Sequence, residues 1–95
     1  MATPDELVTL AATLPPPNDE IVRRAAYYLL QGSRDGLETA HNLVVDAWNN
    51  LRTKGAYVPG MLVGYAMDLR QDRIEAYGAV GRPADMIAPY WKQGW

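Results

Sequence analysis

The chain contains no cysteine and no phenylalanine, and it carries a single serine, Ser33, and a single histidine, His41. Each shortage closes off some chemistry. Without cysteine there are no disulfides and no thiolate metal sites, which fits a reducing compartment. A Ser-His-acid arrangement within one chain could use only Ser33 and His41, and nothing resembling a nucleophile elbow surrounds Ser33. We read Ser33 as a turn or cap residue and expect no enzymatic activity and no cofactor.

Long apolar runs are also missing. No stretch approaches the roughly 18 residues a membrane span needs. The first residues, Met1-Ala2-Thr3-Pro4-Asp5-Glu6, are acidic and lack the basic start of a signal peptide. We therefore expect a cytoplasmic chain, or one held within a particle, that does not engage a membrane. Basic charge is short as well: the net charge is −2 and the pI about 5.2. A surface built to neutralise many phosphates is normally basic, so nucleic acid is disfavoured as the main partner.

What is present suits one small globular domain. The chain has 95 residues, of which 48% are apolar. A domain of this size buries about 60–65% of its unfolded surface, so its core is thin. Every aromatic ring is a Tyr or a Trp, residues whose polar tip suits surfaces that are apolar at one end and wet at the other.

The periodicity predicts an all-α fold of four main helices and a short fifth, over residues 4–13, 19–31, 36–53, 60–78 and 83–88. Thr3, Pro4 and Glu6 form a capping box with a proline at the first helical position. Pro15-Pro16-Pro17 breaks the chain, and Asn18 reads as the N-cap of the second helix. Ile21, Val22, Ala25, Ala26, Leu29 and Leu30 make its apolar stripe, ended by Gly32. Of the adjacent pair Tyr27-Tyr28, one ring must face inward.

Asp35 with Glu38 reads as a capping box opening the third helix, whose stripe is Leu37, Ala40, Val44, Ala47, Trp48 and Leu51, with Gly55 as its stop. Pro59-Gly60 fits either a helix start or a type II turn between two short strands. The stripe Leu62, Tyr65, Ala66, Leu69, Arg73 and Tyr77 is too long for a hairpin strand and favours the helix.

Four patterns bear on function. Glu38-Thr39-Ala40-His41 places a carboxylate and an imidazole on one helix face, as in the Glu-x-x-His element of di-iron bundles. Such a centre normally needs two of these elements and further carboxylates. One histidine could supply that only in a homodimer, with Glu20 as the obvious extra ligand. Glu38 is otherwise accounted for by the capping box, and His41 as a partly exposed neighbour. Gly60-x-x-x-Gly64 lacks the Lys-Ser or Lys-Thr of a P-loop and reads as a place where helices approach closely. Two helices joined around Gln31–Asp35 resemble a helix-turn-helix in spacing, with Asn42, Asn49, Asn50, Arg52 and Lys54 on the second. Most of these lie at the C-terminal end, where recognition helices seldom read bases and where cations complement the dipole. The alternating charges from Asp68 to Glu75 read as a solvated helix face.

The C-terminal segment is the most suggestive. Tyr90, Trp91 and Trp95 fall in the last six residues, where large rings are unusual and where Tyr and Trp serve as interface anchors. Such rings pack either on the chain's own core or on a partner; Tyr28 and Tyr57 extend the candidate aromatic surface. The expected function is thus a non-enzymatic interaction or structural protein. It would be a small subunit of a larger assembly, of the kind a phage encodes, or a small inhibitor, binding a protein partner or itself. The alternatives are a helix-turn-helix-like nucleic-acid module and a homo-oligomeric metal protein using Glu38, His41 and Glu20. No small-molecule substrate is evident.

Overall fold

The computed structural model describes residues 2–77, with side-chain surroundings described up to Glu75. Among these residues the fold is all-α, with helices α1 (Pro4–Ala11), α2 (Asn18–Leu30), α3 (Arg34–Thr53) and α4 (Gly60–Tyr77) and no strand. The residues of the expected helix 83–88, and Tyr90, Trp91 and Trp95, lie outside the described residues.

Helix α1 starts as its sequence dictates. Glu6 N donates to Thr3 Oγ1 at 3.3 Å, and Thr3 N donates to Glu6 Oε1 at 2.9 Å, so two otherwise orphaned N–H groups are satisfied reciprocally. Its end differs: α1 stops at Ala11, before the expected residue 13, because Thr13 N and Leu14 N already bond the carbonyls of Leu10 and Ala11 in the tighter i−3 pattern.

The start of α2 also departs from expectation. Asn18 is its first helical residue and makes no cap. Its side chain is buried, and its Oδ1 accepts from Asn50 Nδ2 of α3 at 3.1 Å. A polar side chain that would be costly to bury alone is matched across the bundle.

Helix α3 begins two residues earlier than the charge pattern suggests. Ser33 is the N-cap, and Gly36 N donates to its Oγ at 3.0 Å. The reading of Asp35 and Glu38 as a capping box is therefore overturned. Glu38 is engaged instead by α4, where Arg73 Nη2 donates to its Oε1 at 3.1 Å. The end is as expected: Gly55 has φ of 68°, Gly55 N donates to Arg52 O at 3.1 Å, and Ala56 N donates to Leu51 O at 2.9 Å. These are the two bonds of a Schellman stop.

Helix α3 is central, packing on α2 most extensively and on α4. Among the described residues no Tyr or Trp ring is fully buried, and Ala11, Ala25, Ala26, Ala40, Ala47 and Ala66 are all in the core. Short side chains let helix axes approach closely, so contact area comes from backbone proximity rather than large residues. Leu30, placed on the inner stripe of α2 by spacing, is exposed. It sits in the last turn of α2, where Leu29 rather than Leu30 packs against the core.

Gly36 marks the tightest approach. A Cβ there would lie 2.5 Å from the carbonyl oxygen of Tyr28. In a free helix, Gly→Ala gains about 1 kcal/mol; here we expect Gly36→Ala to destabilise by about 1–3 kcal/mol, because backbone must move. Gly64, in α4, is the opposite case. It meets nothing within 4 Å, so Gly64→Ala should stabilise by about 0.5–1 kcal/mol. Thermal melts of the two variants check the pair; equal signs would contradict the packing described.

Candidate functional site

Two features of the folded chain merit a functional reading: a buried polar cluster between α3 and α4, and the outward face of α4.

The buried cluster joins Glu38 and His41 to Arg73. Spacing alone puts Glu38 and His41 on one face of α3, since residues three apart are neighbours there. Arg73 continues the inner stripe of α4 after Leu62, Ala66 and Leu69, all of which are fully buried. An arginine on such a stripe must carry its charge into the bundle. Its residue exposure is 2%, and Nη2 donates to Glu38 Oε1 at 3.1 Å. Nη1 lies 3.5 Å from His41 Nδ1, a long contact in which the imidazole nitrogen must be the acceptor, because guanidinium only donates.

His41 has 0% exposure, so the expectation of a partly exposed residue is corrected. The inward surface of α3 is wider than one stripe, because α4 covers a second side. Burial, and secondly the Arg73 charge, lower the His41 pKa from 6.5 to about 4, with Asn42 and Glu38 pulling the other way. The ring is neutral at pH 7.

Chemically this is a charge-neutralised tie between helices. The place where a metal would bridge Glu38 and His41 is taken by a guanidinium, whose positive charge repels a cation. Glu20, the third candidate ligand, points away to solvent and lies 3.8 Å from Arg23, which also meets Asp19 at 3.5 Å. Among the described residues no three His, Asp or Glu side chains form a group able to hold a metal ion.

The residues of the nucleic-acid alternative divide between the bundle and the surface, with Arg52 and Lys54 exposed. Asn50 donates to Asn18, and Arg52 Nη2 donates to Asn49 Oδ1 at 3.2 Å. Asn42 sits beside the His41 ring.

The outward face of α4 is different. Gly60, Met61, Gly64 and Met67 are exposed, Met61 at 55% and Met67 at 54%, and Tyr57 just before the helix is 82% exposed. The Gly-x-x-x-Gly spacing thus does not serve packing within the described bundle, contrary to expectation. Its glycines leave an open strip of backbone flanked by two methionines. Toward the C-terminal end the same side carries Gln71 and Glu75, both exposed.

Tyr28 packs at the edge of the core, while Tyr27 is exposed; their rings meet edge to face with centroids 5.5 Å apart. The rule that one of the pair must face inward holds, and Tyr28 is that one. The cue sequence reasoning missed was Arg73. Its place on an apolar stripe, beside a histidine and a glutamate on another helix, is the mark of a buried ion pair.

The comparisons add no relative. No family model matches the chain, and neither a curated protein nor a solved structure matches it. No helix of the described residues is long and apolar enough to cross a membrane.

Proposed function

We propose that this chain is a non-enzymatic interaction or structural protein, a small subunit or inhibitor that docks on a larger protein assembly. The observation that carries the reading is the outward face of α4. A helix partnered on one side only would normally turn polar residues to water. Here its first turns present Met61 and Met67 around Gly60 and Gly64, with Tyr57 beside them. Methionines adapt their shape to a partner, exposed apolar clusters mark interaction sites, and exposed glycines let a partner helix come close. Tyr90, Trp91 and Trp95 supply further anchor-type rings. The nucleic-acid alternative draws less support, because Asn50 is spent on Asn18, and the exposed Arg52 and Lys54 sit at the helix end where recognition helices seldom read bases, on a chain of net charge −2.

Photo-cross-linking tests this directly. A benzophenone amino acid at position 61 or 67 should capture one partner in the native cell extract, and the same group at exposed position 24 should not. Light scattering on the full chain should show a folded species whose assembly is lost in Met61→Glu/Met67→Glu with little change in melting temperature. A monomer that cross-links from position 61 indicates a heterologous partner. A monomer that cross-links equally from 61 and 24, or from neither, removes the proposal.

A further inference from the structure

A cavity of about 310 Å³ opens where the start of α1, the α2–α3 turn and α4 converge. Its walls include Ala2, Pro4, Leu29 and Leu37, and its polar groups come from Thr3, Ser33 and Asp72. Two of these are already engaged. Thr3 is bound up with Glu6, and Ser33 Oγ accepts from Gly36 N. The third is the Asp72 carboxylate, the one charged group in the wall. Burial first, then the neighbouring Glu75 and Asp68, push its carboxyl above the ordinary range, while the chain's N-terminal ammonium pulls it down. A half-buried carboxylate among acids gains from a donor placed against it. The volume is at the small end of ligand pockets, roughly 300–1,000 Å³, and about twice that of an engineered cavity, roughly 150 Å³, that takes benzene.

We propose that this cavity binds a small fused aromatic ring bearing one N–H or ammonium donor, its ring against Pro4, Leu29 and Leu37 and its donor on Asp72. This chemistry has two sources. One is a free indole-type molecule; the other is the chain's own Trp91 or Trp95, in the segment that continues from α4. The proposal stands apart from the docking face of α4, which shares none of these residues.

The test uses the full chain with leucine methyls labelled for NMR. Indole and tryptamine are titrated into the wild type and into Trp91→Ala/Trp95→Ala, with 1-methylindole as the analogue lacking the donor. The expected result is saturable shifts of the Leu29 and Leu37 methyls by indole and tryptamine, with 1-methylindole about tenfold weaker. Asp72→Asn should remove the advantage of tryptamine while leaving the melting temperature within a few degrees. Binding of equal strength in both chains identifies a free ligand as the source. Binding confined to the Trp-less variant, with contacts between Leu37 methyls and an indole in the wild type, identifies the chain's own ring. No saturable shift in either chain, or equal binding of 1-methylindole, overturns the proposal.

Discussion

Arg73→Ala should lower stability by about 3–5 kcal/mol, the range for breaking a buried pair by removing one partner. The loss has three parts. Glu38, whose side chain is only 25% exposed, is left with its counter-charge gone. His41 loses its neighbour at Nδ1, and a long side chain leaves a void between α3 and α4. Against a total stability of about 5–15 kcal/mol for a typical domain, this is enough to populate unfolded chain. Glu38→Gln should also destabilise, since it strands the guanidinium of Arg73, but the double variant Glu38→Gln/Arg73→Met should recover most of the loss. An apolar side chain of similar length removes the need for the pair. With the single Arg73→Met added, urea titrations of the wild type, Glu38→Gln, Arg73→Met and the double variant close the cycle and give the coupling directly. An Arg73→Ala cost below about 1 kcal/mol would mean the guanidinium is hydrated in solution and the cluster is not closed.

Acid should expose the second large effect. The folded-state pKa of His41, about 4, lies below its ordinary value of 6.5. The unfolded chain therefore takes up the proton first. The neutral-histidine contribution is full above pH 6.5, falls as the pH drops through the interval to about 4, and loses nothing further below it. Across that window the loss is about 3 kcal/mol. Asp46 and Asp72 work in the opposite sense, because burial raises their carboxyls, and a raised carboxyl favours the folded state as protons are added. The informative quantity is thus the difference between the wild type and His41→Gln, which keeps a polar side chain without the titration. Unfolding free energies at several pH values between 4 and 7 should converge between the two chains as the pH falls. Parallel curves would show that His41 is solvated.

Local signals in the sequence held where the partner lies within one turn. The Thr3–Glu6 box, Ser33 as a cap residue, and the stops at Gly32 and Gly55 rest on neighbours a few residues away, and the backbone follows them. Apolar stripes held for the same reason: Ala40, Val44, Ala47 and Leu51 are buried together, as are Leu62, Ala66 and Leu69. The failures share another cause. Asn18 was read by its intrinsic liking for N-caps, but its partner is Asn50 on a different helix. Glu38 was read against Asp35, and the helix began at Arg34. His41 was judged from one helix face, although α3 is covered on two. Periodicity locates a face; it does not say how many neighbours will cover it. The candidate cluster is half legible: Glu38 and His41 stand out for their spacing, whereas Arg73 reads both as part of an apolar stripe and as part of a solvated run of charges from Asp68 to Glu75, and its 2% exposure overturns the second reading. The outward glycines of α4 are not distinguishable in sequence from inward ones, because close spacing of small residues looks the same whether the partner is inside the bundle or beyond it.

The two polar ties of this bundle join positions far apart along the chain, Asn18 with Asn50 across 32 residues and Glu38 with Arg73 across 35. The helices and their short turns need no such reach. Closing either tie requires distant stretches of chain to meet, which helix and turn formation does not. We expect their loss to fall mainly on the unfolding rate, and stopped-flow folding and unfolding of Arg73→Ala checks this. In this small bundle the paired polar groups act as latches on the lifetime of the native state.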